Sequence, residues 1–108
     1  MKNQKKIIGI PVKIGKLEVT QNDFPKPINW DDAQKACAEL GDGWRLPTKD
    51  ELKNLNKNKA KIGGFTENTY WSSTEFSKGY AWVQCFCFSF QVHEYKGDPH
   101  YVRLVRAL

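Results

Sequence analysis

The sequence predicts an α+β domain in which two helices pack on one side of an antiparallel sheet. Three observations carry that expectation. Short alternating runs open the chain, two capped stretches with helical spacing follow, and aromatic-rich strands close it. At 108 residues the chain fits one domain, 1–108, long enough to bury roughly two thirds of its unfolded surface. Its 40% apolar and 27% charged residues are globular values and argue against disorder. No apolar run approaches the roughly 20 residues of a membrane span, so membrane insertion is not expected. The opening Met1 to Lys6 is basic, but Ile7 to Pro11 is too short an apolar segment for a signal peptide. The chain as given is therefore expected to be cytosolic at synthesis, or a processed or truncated product. Cell-surface, virion-associated and cytoplasmic locations stay open.

Ile8, Ile10, Val12 and Ile14 alternate with Gly9, Pro11 and Lys13, and Leu17 and Val19 with Glu18 and Thr20. These predict one or two strands around a Gly15-Lys16 turn, with Pro11 confining the first to an edge. Asn29 caps a helix in which Trp30, Ala33, Cys37 and Leu40 form the apolar stripe, and Gly41 ends it. Asp31 and Asp32 sit in its first turn, where the helix dipole favours negative charge. Thr48 and Glu51 form a capping box for a second helix with Leu52 and Leu55 buried, expected to fray at Asn56 to Lys59 before the Gly63-Gly64 turn. Strands are then expected at Tyr70–Ser73, Tyr80–Phe88, Phe90–Lys96 and Tyr101–Val105.

The stretch from Tyr70 to Tyr101 holds ten of the fourteen aromatic residues, two of the three cysteines and both histidines. From Ala81 to Gln91, alternation puts Trp82, Gln84, Phe86, Phe88 and Phe90 on one face. Ala81, Val83, Cys85, Cys87 and Ser89 fall on the other. Both faces are largely apolar. Either both are covered, or one is an exposed apolar surface, and such a surface usually binds something.

Charge is uneven. Residues 1–61 carry 13 Lys and Arg against 8 Asp and Glu, whereas residues 62–108 carry 4 of each. Nucleic-acid binders place basic and aromatic groups on one surface, so no nucleic-acid partner is expected. Three cysteines (Cys37, Cys85, Cys87) suggest no disulfide framework, and free thiols are the expectation, with Cys37 a small core residue. Cys85, Cys87, His93 and His100 have a spacing unlike common zinc sites, and no metal or other cofactor is expected. No nucleophile is paired with a base and an orienting group, so an enzyme is not expected. Arg103 and Arg106 are expected to pair with carboxylates or cap carbonyls.

Several landmarks line up across the chain. Trp30-Asp31-Asp32-Ala33 opens the first helix, and Gly43-Trp44-Arg45-Leu46-Pro47-Thr48 opens the second. Tyr70-Trp71-Ser72-Ser73-Thr74-Glu75, Ala81-Trp82 with Phe86, and Tyr101-Val102-Arg103 follow. From roughly Val12 to Leu108 they resemble the bacterial and phage domain family that ends the collagen-like adhesin Lcl, also seen in Fibrobacter major-paralogous domains. The resemblance implies a compact C-type-lectin-like fold and a ligand binder rather than an enzyme. The Glu-Pro-Asn or Gln-Pro-Asp loop and Trp-Asn-Asp strand of calcium-dependent lectins are missing, which implies calcium-independent binding.

A second resemblance is to the variable proteins of diversity-generating retroelements, in which a reverse transcriptase randomises template adenines and overwrites the gene's 3′ end. Trp82, Gln84, Phe86, Gln91, Glu94 and Lys96 stand at framework positions of that pattern. The resemblance implies a ligand-binding surface of Phe76, Ser77, Tyr80, Val83, Cys85, Cys87, Phe88, Phe90, Val92, His93, Tyr95, Asp98 and His100. The framework aromatics Trp71, Trp82, Phe86 and Tyr101 would then pack against the helices. Ser89 departs from the glycine usual at the hairpin. A protein or cell-surface ligand is the expected partner. The alternative is a structural or adhesion module that self-associates through the same face as a homo-oligomer.

Overall fold

The computed structural model describes residues 7–108, and the basic opening segment lies outside them. Strand β1 (Val12–Ile14) turns through Gly15, at φ +59°, and Lys16 into β2 (Leu17–Val19). The expected hairpin is thus present, with β1 at the sheet edge, but Ile8 and Ile10 precede the strand. Helix α1 (Trp30–Leu40) has the Asn29 side chain accepting from the Asp32 N–H, and the Gly41 N–H closes its other end on Ala38. Helix α2 (Lys49–Lys57) has the full Thr48–Glu51 capping box. It does not fray at Asn56, which is buried. It ends at Asn58, and a single turn, α3 (Lys59–Ile62), follows.

The remaining strands are β3 (Thr69–Ser77), β4 (Tyr80–Cys85), β5 (Gln91–Tyr95) and β6 (Val105–Ala107). They form two antiparallel sheets, ordered β1-β2-β6 and β3-β4-β5. β4 is shorter than expected because the chain turns at Phe86. The Phe86 N–H bonds Asn68, and Ser89 takes a left-handed φ of +63° before the Cys85 N–H resumes pairing with Phe90. That φ explains why glycine suits the position. Residues 101–104 form no continuous strand, since their backbone partners come from two directions: Trp71 of β3, and Thr20 and Phe24 of the loop after β2.

Neighbouring residues of β3 reveal the layering. Trp71 joins a core with Trp30, Ala33 and Cys37 of α1, Ala81 and Val83. Tyr70, pointing the opposite way, joins a second core with Leu52 and Leu55 of α2, and Phe86. The two helices therefore take different faces of the β3-β4-β5 sheet, not the one side the sequence predicts, because Tyr70 and Trp71 each bring a core to their own face. The doubly apolar run is explained in part: Ala81 and Val83 of β4 enter the first core, while Phe86, just past the end of β4, enters the second.

The sequence landmarks build this frame. Ser72 makes the β3 irregularity, donating to the Trp82 carbonyl at 2.7 Å while accepting from the Thr74 N–H. The Thr74 hydroxyl accepts from the Lys49 N–H at 2.9 Å and fixes the start of α2. Arg45 grips Glu51 through two bonds of 2.6 and 2.9 Å, holding the Glu51 carboxyl below its ordinary pKa. Arg106 pairs with Glu18 at 2.9 Å and lies over Trp44, as expected of a structural arginine. Among the described residues no helix is long and apolar enough to cross a membrane.

Candidate binding surface

α2 covers only part of the outer face of β3-β4-β5. Past its first residue the face is open, and five rings cluster there. Cross-strand pairing sets Tyr80 opposite Tyr95 and Trp82 opposite His93. Phe76 of β3 lies face to face with His93, centroids 3.8 Å apart and planes 7° apart, and meets Trp82 edge-on at 5.7 Å. Tyr80 packs edge-on to His93 at 5.8 Å and against Tyr95 at 6.0 Å. Phe76, Tyr80 and Tyr95 remain 53%, 43% and 55% exposed. Cross-strand aromatic pairs hold one another in place, so this surface is preorganised. Lys49 lies 3.6 Å above the Trp82 ring, and the Gln91 side chain donates to the Lys49 carbonyl at 2.7 Å. These two contacts set the boundary between covered and open sheet.

A second apolar patch lies at the β4–β5 turn. Phe88 is 79% and Phe90 45% exposed, their rings near-parallel with centroids 6.5 Å apart. The Asn56 side chain donates to the Ser89 hydroxyl at 2.9 Å and ties this tip to α2. Beside Tyr95, a polar cleft of about 470 Å³ opens between the first turn of α1 and the Lys78-Gly79 and Lys96-Gly97 turns.

The expected surface residues divide. Phe76, Ser77, Tyr80, Cys87, Phe88, Phe90, His93, Tyr95 and Asp98 are exposed. Val83 and Cys85 are not surface residues: they are 1% and 2% exposed, and the parity of Val83 on β4 points it into the α1-side core. Val92, paired with Val83, is half-buried against the same core. His100 is half-buried as well. Its Nδ1 shares a 2.6 Å hydrogen bond with the Thr69 hydroxyl, its ring stands edge-on to Trp71, and its backbone bridges Ile28. Burial lowers the His100 pKa, with Glu94 and Asp98 opposing. Trp82 corrects the opposite way. It is expected to pack against the helices with Trp71 and Phe86, and it meets α2 only through Lys49, remaining half-buried on the open face beside Tyr80. Its parity with Tyr80 was the available signal; Lys49, thirty-three residues earlier, had none.

The cysteines also differ from expectation. Cys85 and Cys87 are bridged, their Cα atoms 5.4 Å apart, because Cys85 ends the strand and the chain turns through Phe86 instead of continuing extended. Cys37 is a free thiol in the core, its pKa pushed up to about 12 by burial. Among the described residues no three His, Cys, Asp or Glu side chains converge as metal ligands. The imidazole of His93 lies among rings, and Cys85 is sealed beneath the sheet.

Two small sheets, a helix on either face of the second, and the return of the C-terminal strand beside the first define a C-type-lectin-like domain. The chain is similar to EMS16, an antagonist of the collagen receptor integrin alpha2beta1. The TM-score is 0.65 at 15% identity, covering 91% of this chain and 97% of that one. It is similar to botrocetin, with TM-score 0.67 at 11% identity over 93% and 98%. A chain from the complex of botrocetin with a mutant von Willebrand factor A1 domain gives 0.63 at 11% identity, over 93% and 98%. The Lcl C-terminal domain model matches residues 10–106, and the chain belongs to that family. No curated protein matches the sequence.

Proposed function

We propose that this chain is a single, non-enzymatic binding domain whose open β3-β4-β5 face and adjoining β4–β5 tip take a protein or cell-surface target. The observation that carries the reading is the interlocked cluster Phe76, Tyr80, Trp82, His93 and Tyr95, with three large rings about half-exposed on a rigid sheet. Rigid aromatic side chains bring contact area at low entropic cost. EMS16 and botrocetin, which share the fold, have protein partners, and this supports the reading by analogy alone. The binding set is Phe76, Ser77, Tyr80, Cys87, Phe88, Phe90, His93, Tyr95 and Asp98, joined by Trp82, with His100 at its margin. Val83, Cys85 and Val92 support it from beneath.

Retroelement diversification is the further part of this reading, supported by the framework pattern and by the exposure of most positions between framework residues. Sequencing the DNA beside the gene tests it. The expected result is a reverse transcriptase gene and a near-copy of the Tyr70–Leu108 coding region that differs only at template adenines. Lack of such a copy overturns diversification and leaves the binding surface to be tested by itself. For the surface, the triple variant Phe76→Ser, Tyr80→Ser, Tyr95→Ser is compared with the parent in capture from solubilised cell-surface extracts. A target held by the parent and lost by a folded variant supports the surface; equal capture by both overturns it.

A further inference from the structure

We infer that the partner of this surface is an acidic protein, read by an edge of α2 lysines that joins the two aromatic patches. The inference rests on the proposed binding face and adds the chemistry of what it binds.

At one end, Lys49 Nζ sits over Trp82 in the ring cluster. At the other, Asn56 bonds Ser89 between Phe88 and Phe90. The seven-residue step from Lys49 to Asn56 spans about 10 Å of helix. Lys53 lies four residues after Lys49 and three before Asn56, so it shares their side of the helix. Lys57 continues that side by one turn. Both are exposed. The ion pairs of the described residues engage Arg45, Lys96, Arg103 and Arg106, and neither Lys53 nor Lys57 is among them. Glu51, the nearest acid in sequence to both, is held by Arg45.

Two exposed lysines outside the described ion pairs thus lie on the side of α2 that runs from the ring cluster at Lys49 toward the Phe88–Phe90 tip at Asn56. The basic and aromatic halves, separate in sequence, meet here in space. An aromatic centre with a charged rim is the anatomy of a protein–protein interface. Single-stranded nucleic acid would need free ring faces for its bases. Phe76 and His93 spend a face on each other instead.

The test uses fluorescein-labelled random poly(Glu,Tyr) as probe, with poly(Glu), heparin and oligo-dT as competitors, in fluorescence polarisation at low and high salt. Two folded variants are compared with the parent: Lys53→Gln with Lys57→Gln, and Phe76→Ser with Tyr95→Ser. The expected result is poly(Glu,Tyr) binding that weakens roughly fivefold or more in each variant and at high salt, with poly(Glu) competing poorly. Binding lost in the ring variant and kept in the lysine variant overturns the acidic partner and leaves the binding face standing. Loss in the lysine variant alone, or stronger competition by oligo-dT or heparin, shows a plain polyanion site and overturns the inference. No binding of poly(Glu,Tyr) by the parent also overturns it, and the capture experiment then decides the face independently.

Discussion

Arg103, fully buried, donates from Nε to Asp23 Oδ1 at 2.7 Å. The other carboxylate oxygen accepts from the Tyr70 hydroxyl. Arg103 Nη1 reaches the carbonyls of Thr20 and Gly63 at 3.1 and 3.2 Å, and the guanidinium lies 4.0 Å from the Phe65 ring centroid. One side chain thereby joins the loop after β2, the turn before β3, and the second core. Burial raises the Asp23 pKa, although the Arg103 charge and both hydrogen bonds pull it down.

Replacing one partner strands the other charge away from water. Arg103→Met is expected to cost about 3–5 kcal/mol, read from urea unfolding; a loss below about 1 kcal/mol would show the pair to be dispensable. Gly64→Ala should also destabilise. Gly64 has φ +79°, and a Cβ there would stand 2.9 Å from Arg103 Nη2 and 3.2 Å from the Gln21 carbonyl.

Val83 and Phe88 belong to one aromatic-rich run and should respond in opposite ways. Val83→Ser opens a cavity and buries a hydroxyl, for about 2–4 kcal/mol. Phe88→Ser should leave stability within about 0.5 kcal/mol. Equal losses in thermal or urea unfolding would contradict the placing of Val83 in the core and Phe88 on the exposed turn.

The sign of the His100 effect follows from its lowered pKa. The unfolded chain takes up the proton near pH 6.5 while the folded one resists, so the unfolded state binds more protons just below that pH. The stability contribution is complete above pH 6.5 and is lost as pH falls through the folded value. Melting temperature should drop between pH 7.5 and 5 in the parent, and less steeply in His100→Gln. Parallel profiles would remove His100 as the cause.

Denatured without reductant, the protein should show one reactive thiol, Cys37, and three after reduction. Three thiols without reductant would show Cys85 and Cys87 to be unbridged.

Self-association through the open face is the competing use of the same rings. Sedimentation at micromolar concentration is expected to give a monomer of 12.5 kDa. A dimer dispersed by Phe76→Ser with Tyr95→Ser would instead assign the face to a second copy of the chain.

What the sequence determined by itself is local or carried by specific motifs. Asn29, Gly41, Thr48, Glu51 and Gly15 act within a few residues, so caps and turns were legible. The ordered motifs around Trp44 and Tyr70 identified the family and its fold. Tertiary structure alone decided which parity of β4 faces inward. A period of two separates the faces of a strand without saying which is covered, and here both carried apolar residues. Ala81 and Val83 went inside because Trp71 and α1 meet that face. Trp82 stayed half-open because α2 reaches it only with Lys49. The turn at Phe86 brought Cys87 back to Cys85, and folding carried Lys49 of one half to the Trp82 ring of the other. Those placements depend on contacts between distant segments, which no local pattern encodes.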